Sequence, residues 1–299
     1  MSREPKLDIH QEITSRIIAA IEDGAGEFCL PWNRGGASGR PRNIASGKHY
    51  NGVNVLALWV AALHQGYAQP IWGTYRQWQE KGCQVRRGEK SSLVVFYKTF
   101  TVETDREEAS ESQTSERLIA RASYVFNADQ VEGYAVLEET LPATPLFSPI
   151  EEAERFLAAS GARVTESGTK ACYRPSTDDI LMPERTRFAG SESMSAGEAF
   201  YATLMHELTH WTGHASRCAR DLKNRFGSES YAMEELVAEL GAAFLCADIG
   251  VTPELRPDHA SYIANWLTVL KADKKAIFTA ASKAQQAANY LTSLTGERP

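Results

Sequence analysis

No hydrophobic run in the sequence approaches the roughly 20 residues that a helix needs to cross a bilayer. The N-terminal stretch MSREPKLDIHQEITSR is charged and has no apolar core of the kind that defines a signal peptide. The five cysteines are scattered, odd in number and without a CxxC pair, which argues against a zinc ribbon and favours a reducing compartment. The sequence therefore predicts a cytoplasmic protein with no membrane partner.

The sequence also lacks internal repeats and the biased composition of disordered or fibrous chains. Hydrophobic residues make up 43% of the chain and charged residues 23%, which is typical of a globular protein. A length of 299 residues is enough for two domains. The segment EETLPATPLFSP, residues 138–149, holds three prolines and is the best candidate for a linker. We therefore predict one domain at residues 1–137 and a second at residues 150–299.

Hydrophobic periodicity and capping residues predict an α+β fold. The first domain contains helical patterns, one of them opened by a capping box of Thr74 and Gln77, and two β-rich segments, SLVVFYKTFTV and IARASYVFNADQV. The acidic segment between these strands, residues 103–117, predicts an exposed loop at the tip of a hairpin. The second domain is predicted to be mostly helical with a small β-sheet, and one of its helices begins at a capping box of Ser195 and Glu198.

The stretch YATLMHELTHWTGHASR, residues 201–217, contains the motif HExxH in the middle of a predicted helix. Residues four apart lie on one face of a helix, so His206 and His210 can hold the same metal ion. Glu207 lies about 100° further round, where its carboxylate can act as a general base. A chance occurrence has a frequency of about 1% in a chain of this length. We therefore predict a metal site for Zn²⁺, with Mn²⁺ or another divalent ion as the alternative.

A zinc site of this kind needs a third protein ligand. The pattern HExxHxxGxxH fails because position 216 is Ser216, and His214 lies one residue past the glycine, so we interpret His214 as a group beside the metal or an alternate ligand. In EELVAEL, Glu235 and Glu239 share a helix face with small residues, and buried carboxylates need a cation or hydrogen-bond donors. We assign Glu235 as the ligand and Glu239 as the acceptor that orients a histidine. The reverse assignment stays open, and Glu234 is the weaker candidate.

Two histidines and one glutamate leave a position open for water, whose pKa zinc lowers to about 7. Glu207 would take the water proton, hydroxide would attack a peptide carbonyl, and Glu207 would pass the proton to the leaving amine. An edge strand in Asp178–Pro183 would hold the substrate by strand addition. The predicted enzyme is a zinc metallopeptidase whose protein substrate the sequence does not identify.

Positive charge is concentrated in residues 31–100, which carry ten Lys and Arg against two Glu, although the whole chain has a net charge of −6. Aromatic residues are interleaved with these cations, and four of the six tryptophans fall between residues 32 and 78. Positive charge combined with stacking rings is typical of proteins that bind single-stranded nucleic acid without sequence preference. Trp59 and Trp78 lie inside helical patterns, and we predict that they belong to the core.

The candidate DNA-binding residues lie in or beside turn-rich segments of this basic region, where binding residues tend to collect. They are Arg40, Arg42, Lys48, Tyr50, Asn51, Trp72, Tyr75, Arg76, Arg86, Arg87 and Lys90. The sequence contains no recognition helix, zinc finger or RNP motif, which argues against sequence-specific reading of duplex DNA. We therefore predict single-stranded DNA as the partner of the first domain.

Both halves of the chain resemble one known family. The N-terminal domain of ArdC-type antirestriction proteins of conjugative plasmids, a module also found in plasmid primases, is similar to the segments PWNRGG, ASGKHYNGVNVLALW, WGTYRQWQEKGCQVRRGEK and YVFNADQVEG. The metallopeptidase domain that follows it resembles FYATLMHELTHWTGH and FGSESYAMEELVAELGAAFLC. The resemblance implies a zincin-like second domain of the gluzincin kind and single-stranded DNA binding by the first. It also implies protection of incoming plasmid DNA from host restriction during conjugation.

Two classes of function are compatible with these residues. One is a metallopeptidase held on single-stranded DNA that cuts or remodels an unknown host protein. The other is a non-catalytic protein that coats single-stranded DNA and uses its metal site structurally or for partner binding. Glu207 favours the first class, because a structural metal site has no use for a general base.

Overall fold

The computed structural model of the chain describes residues 7–25, 39–103, 114–134, 149–190, 194–222, 228–251 and 260–296. Within these ranges the backbone forms eight α-helices and nine β-strands, which gives the α+β fold predicted from the sequence. No helix in the described ranges is long and apolar enough to cross a membrane. The four cysteines in the same ranges are free thiols.

The first domain packs three helices against a four-stranded sheet. Its helices are α1 (Ile9–Ala25), α2 (Val53–Gln65) and α3 (Tyr75–Glu80), and its strands are β1 (Arg42–Asn43), β2 (Ile71–Gly73), β3 (Gln84–Val85), β4 (Ser92–Glu103), β5 (Thr114–Asn127) and β6 (Val131–Glu132). The sheet has the order β1-β2-β5-β4, and β3 pairs separately with β6. β4 and β5 form a long antiparallel hairpin with a continuous register.

The second domain is mostly helical and contains one small sheet. Its helices are α4 (Pro149–Ser160), α5 (Ala196–Thr212), α6 (Glu229–Ile249), α7 (Ala260–Ala272) and α8 (Ala276–Leu294), and its strands are β7 (Arg163–Glu166), β8 (Cys172–Arg174) and β9 (Asp179–Met182). The central strand β9 pairs with parallel β7 on one side and with antiparallel β8 on the other. Among the described residues, β7 and β8 are therefore the edge strands of this sheet.

The two domains share one hydrophobic core. A continuous cluster of buried side chains includes Ile13 of α1, Trp59 of α2 and Phe244 of α6. The ring centroids of Trp59 and Phe244 lie 5.9 Å apart. In addition, α1 contacts both α2 and α7, and α8 contacts α2. Close packing of large side chains across the boundary joins the two domains into one body.

The local predictions agree with these elements. Both predicted capping boxes are present, with Thr74 and Gln77 at the start of α3 and Ser195 and Glu198 at the start of α5. In a capping box each side chain satisfies a backbone N–H that the first helical turn leaves without a partner. The predicted helix starts are therefore confirmed at the two positions where the sequence carried an explicit signal.

The structure bears on three predicted segments: a loop, an edge strand and the linker. The predicted loop of residues 103–117 is too long, because β4 continues to Glu103 and β5 begins at Thr114, and the remaining residues 104–113 lie outside the described ranges. The segment Asp178–Pro183 was predicted as an edge strand, but it contains the central strand β9. A strand paired on both sides has no free backbone groups for a substrate. Of the predicted linker, residues 138–148 lie outside the described ranges, and Pro149 begins α4.

Candidate metal centre and nucleic-acid surface

The HExxH helix α5 packs closely against α6, the helix that carries the glutamates of EELVAEL. Gly241 of α6 makes this approach possible, because a Cβ atom at position 241 would lie only 2.5 Å from Cγ2 of Thr209 on α5. A larger residue would force the two helices apart or displace the threonine. The short distance between the helices brings the side chains of HExxH against those of EELVAEL.

Three side chains meet between α5 and α6. One donor atom from each of His206, His210 and Glu235 lies within 4.8 Å of the other two. Oε2 of Glu235 is 3.6 Å from Nε2 of His206, and Oε1 of Glu235 is 3.6 Å from Nε2 of His210. These separations suit three ligands of one ion with bonds of about 2.0–2.2 Å. The structure thus brings together the three residues that the sequence analysis assigned as ligands.

The other ring nitrogen of each histidine faces a different glutamate. Nδ1 of His206 lies 3.6 Å from Oε2 of Glu239, and Nδ1 of His210 lies 3.2 Å from Oε1 of Glu234. A carboxylate in this position orients a metal-bound imidazole and raises its basicity. Glu239 therefore lies on the side of His206 where an orienting carboxylate is expected, and Glu235 lies on the Nε2 side of both rings, so the assignment of Glu235 as ligand and Glu239 as orienting group stays the prediction.

Sequence reasoning missed two residues that support His210. It treated Glu234 only as a weak ligand candidate, and it did not consider Arg220. Arg220 is buried and binds Glu234 through Nε and Nη2, while its remaining bonds reach the Thr212 hydroxyl at 2.8 Å and the Thr209 carbonyl at 2.6 Å. A guanidinium bonded on all three nitrogens fixes the carboxylate that it holds. Arg220 follows the end of α5, so helical periodicity contains no signal for this contact.

The charges around the two histidines are mostly negative. Four glutamates, at positions 207, 234, 235 and 239, and one buried arginine surround them. Burial lowers the pKa of His210, but the carboxylates of Glu234 and Glu235 outweigh this effect and raise that pKa to about 10. Buried carboxylates in excess over cations are stabilised by a metal ion. Two imidazoles and one carboxylate are a donor set that fits zinc or another divalent ion of the first transition row.

Glu207 is held against the small sheet. Its Oε2 accepts a hydrogen bond of 2.8 Å from the backbone N–H of Tyr173 in β8. The Tyr173 hydroxyl donates to Asp178 at 2.9 Å, and Arg217 pairs with Asp178 and stacks 3.8 Å from the ring centroid of Trp211. The strand that reaches the predicted general base is therefore β8, an edge strand, in place of the segment at 178–183 that the sequence analysis chose.

His214 follows the end of α5 and takes no part in the cluster of ligands. Its Nδ1 lies 2.8 Å from the hydroxyl of Ser216 and also accepts from the Ser216 backbone N–H at 3.2 Å. The group of described residues able to hold a metal consists of His206, His210 and Glu235. The predicted use of His214 as an alternate ligand therefore finds no support in this geometry.

Arg40 was predicted to bind DNA, and this prediction needs correction. Its side chain is buried and donates to Asp248 Oδ2 and to Gln285 Oε1, both at 2.8 Å. Asp248 belongs to α6 and Gln285 to α8. Arg40 therefore ties the first domain to the second and does not face solvent, because helices distant in the sequence cover it.

Two predicted DNA-binding aromatics are also buried. Tyr50 and Trp72 belong to the main core, and the ring of Trp72 meets the ring of Tyr67 edge to face. A buried ring cannot stack on a nucleobase, so the prediction that Tyr50 and Trp72 bind DNA is wrong. Trp59 and Trp78 are buried as predicted.

The remaining candidates are at least partly exposed. They are Arg42, Lys48, Asn51, Tyr75, Arg76, Arg86, Arg87 and Lys90. Asn43 Nδ2 donates to Gln77 Oε1 at 3.1 Å, which holds the loop after β1 against α3. The Tyr75 hydroxyl accepts from Gln84 Nε2 at 3.0 Å, which joins α3 to β3. These contacts hold the loop after β1, α3 and β3 next to one another.

The fold and the site define a protein with a zincin-like metallopeptidase domain behind a separate N-terminal domain. Residues 151–283 match the family described as zincin-like metallopeptidase, and residues 7–126 match the N-terminal domain of anti-restriction factor ArdC. The metal-free crystal structure of antirestriction ArdC protein from the R388 plasmid is 38% identical, with a TM-score of 0.78 over 98% of this chain and 100% of that chain. The chain belongs to the ArdC-type family of antirestriction proteins.

Further relatives agree with this assignment. The Mn(II)-bound structure of the same R388 protein is 37% identical, with a TM-score of 0.74 over 97% of this chain and 99% of that one. The protein y4eC of Sinorhizobium fredii is 49% identical over 95% of this chain and 91% of its own length. A DNA primase TraC of Escherichia coli is 36% identical over 96% of this chain but only 20% of its own length. The chain thus corresponds to about a fifth of that primase.

Proposed function

We propose that this protein binds single-stranded DNA through its first domain and hydrolyses peptide bonds with a zinc ion held by its second. In the cytoplasm of a recipient cell it would protect incoming plasmid DNA from host restriction during conjugation. The observation that carries the peptidase part is the group formed by His206, His210 and Glu235, with Glu207 beside it in the same helix. Membership of the antirestriction family supports the biological role.

Each side chain of the proposed centre has one role. A zinc ion bound there polarises a carbonyl and lowers the pKa of water to about 7. His206, His210 and Glu235 hold the ion, while Glu234 and Glu239 orient the two imidazoles from behind. Glu207 accepts a proton from the attacking water and delivers it to the leaving amine.

Strand β8 is the proposed platform for the substrate peptide. Among the described residues it pairs with β9, and a substrate would add as a strand along its other edge. The backbone N–H of Tyr173 points out of that edge and donates to Glu207. A peptide lying along β8 would therefore pass within reach of the general base.

Metal analysis of point variants tests the centre. His206→Ala and His210→Ala should each abolish stoichiometric metal, whereas Glu207→Gln should retain it and lose peptidase activity, because both histidines are proposed ligands and Glu207 is not. Comparison of protein fragments in cells that express the wild type or Glu207→Gln would identify the substrate. Full metal occupancy in the double histidine variant would refute the assignment.

Salt titrations of the full chain test the DNA-binding part. The logarithm of the binding constant should fall by about 0.7 per neutralised phosphate for each unit of log salt. Arg86→Ala combined with Arg87→Ala should flatten this slope, because both side chains are exposed on the proposed surface. Arg155→Ala, exposed on α4 of the other domain, is the control. Equal affinity for duplex and single strands, or binding indifferent to salt, would contradict the proposal.

A second candidate function is a non-catalytic coat of single-stranded DNA whose metal site serves structure or partner binding. The hydrogen bond from Tyr173 to Glu207 favours this candidate, because it occupies an oxygen of the predicted general base. The efficiency of conjugation into restricting and non-restricting recipient cells distinguishes the two candidate functions. Equal protection by the wild type and by Glu207→Gln would support the coat, and loss of protection would support the peptidase.

A further inference from the structure

An open cavity of about 560 Å³ lies in the first domain, between α3, β3 and the end of β5. The rings of Tyr75 and Phe126 line it together with the side chains of Gln84, Arg86 and Arg87. Its volume falls within the range of roughly 300–1,000 Å³ that small-ligand sites occupy. No residue of the proposed metal centre lines it, so its use must be sought on the DNA-binding side of the molecule.

Tyr75 is an aromatic side chain that the fold leaves available at this cavity, since it is 43% exposed. Its hydroxyl accepts a hydrogen bond from Gln84 at 3.0 Å, and its ring meets Phe126 at an interplanar angle of 69°. Both contacts fix the orientation of the ring before a ligand arrives, which reduces the entropy lost on binding. An oriented and accessible ring is a platform for another flat ring.

The charges that line the cavity balance, because Arg86 and Arg87 are matched by Glu89 and Glu132. Arg86 pairs with Glu89 at 3.1 Å, so the cavity lining carries no excess of positive charge. A lining of this kind is unsuited to a phosphate, which takes an excess of cations. It suits a neutral ring with donors and acceptors at its edge, because Gln84, Arg87 and Glu132 offer both. A nucleobase is such a ring.

We propose that this cavity binds one nucleobase of single-stranded DNA, stacked on Tyr75, with the edge of the base facing Gln84, Arg87 and Glu132. The inference rests on the proposed single-stranded DNA binding and adds the place where a base is held. Base stacking on an aromatic side chain tolerates every base, because each has a π-face. The cavity therefore strengthens binding without requiring a sequence.

A comparison of two oligonucleotides distinguishes the contribution of the base to affinity from that of the phosphates. Fluorescence anisotropy of the full chain would compare oligo(dT) with an abasic strand of the same length. Tyr75→Ala should weaken binding to oligo(dT) roughly 5- to 150-fold, the range of one lost base–aromatic stack, and leave binding to the abasic strand unchanged. Tyr75→Phe should bind oligo(dT) more tightly than Tyr75→Ala and close to the wild type, because it keeps the stacking ring and loses only the orienting bond from Gln84.

Phe96→Ala is the matched control. Phe96 is 49% exposed, close to the value for Tyr75, and pairs with Arg121 in the β4–β5 hairpin. Because side chains alternate along a strand, Phe96 and Arg121 face the side of the hairpin opposite to Phe126. The cavity assignment would be overturned if Tyr75→Ala and Phe96→Ala lost equal affinity for oligo(dT), or if Tyr75→Ala lost equal affinity for both oligonucleotides. Either result would leave the proposed single-stranded DNA binding intact. If the wild type binds neither strand, the proposed single-stranded DNA binding fails, and the cavity assignment fails with it.

Discussion

Metal affinity should fall most when Glu235 is changed. The two oxygens of Glu235 each face Nε2 of one histidine at 3.6 Å, so this carboxylate serves both His206 and His210. Of the two imidazoles, Glu239 faces that of His206, at Nδ1, and Glu234 faces that of His210, also at Nδ1. The three glutamates lie on one helix and carry the same charge. Differences in metal affinity between their variants therefore reflect the position of each carboxylate, because each variant removes one negative charge.

The expected magnitudes follow from these positions. Loss of a carboxylate that orients a metal-bound histidine typically costs 10–100-fold in affinity, or about 1.4–2.7 kcal/mol of binding free energy. We expect Glu234→Gln and Glu239→Gln to fall in this range. Glu235→Gln removes a charged ligand, and we expect its loss to exceed roughly 100-fold. Glutamine keeps the volume of the side chain, so the packing between α5 and α6 is retained.

Competition with a chelator of known zinc affinity measures these values on the full chain. Glu229→Gln is the matched control, because Glu229 is exposed in the first turn of the same helix, and it should bind zinc as the wild type does. Circular dichroism of the metal-free variants verifies that each is folded. Equal affinities for Glu235→Gln and Glu239→Gln, or the opposite order, would move the third ligand to Glu239 and refute the reasoning.

Three further predictions concern packing. Gly241→Ala should lower the free energy of unfolding in a urea titration by about 1–3 kcal/mol, because the added Cβ would lie 2.5 Å from Thr209; an unchanged midpoint would show that α6 can move. Arg40→Ala should lower the free energy of unfolding by about 2–3 kcal/mol. This is less than the roughly 3–5 kcal/mol lost when a fully buried ion pair is broken, because the Asp248 side chain is 27% exposed. Wild-type stability in this variant would contradict the proposed contact between the domains. A chain cut at a protease site inserted between residues 137 and 149 should elute as one particle in size-exclusion chromatography, and separation of the fragments would refute the shared core.

The features that the sequence predicted well are those with a local cause. The spacing of His206 and His210 is a property of the α-helix itself, and a capping box such as Ser195 with Glu198 depends on four consecutive residues. The same periodicity identified the face of α6 that carries Glu235 and Glu239. These signals needed no knowledge of which helix lies against which.

The features that the sequence predicted poorly depend on contacts between distant segments. Burial of Arg40 requires α6 and α8 to cover it, and the partners Asp248 and Gln285 lie 208 and 245 residues away along the chain. The order β7-β9-β8 follows from strand pairing and not from the pattern within any one strand. A helical wheel gives the angle between Glu234 and Glu239 but not the rotation of α6 against α5. That rotation decides which glutamate faces which nitrogen.

Helix α6 connects the metal centre to the base of the proposed DNA surface. Glu235 lies in its first half, and Asp248 lies 13 residues further along the helix, which is about 20 Å at 1.5 Å per residue. Asp248 binds Arg40, which shortly precedes β1 and the loop that carries Lys48. Because the two domains share a core, the packed helix α6 fixes the distance between the metal centre and the first domain. The linker does not determine this distance. Under the proposed function, the peptidase therefore reaches proteins bound beside it on the same strand, and its substrate is expected among proteins that occupy incoming single-stranded DNA.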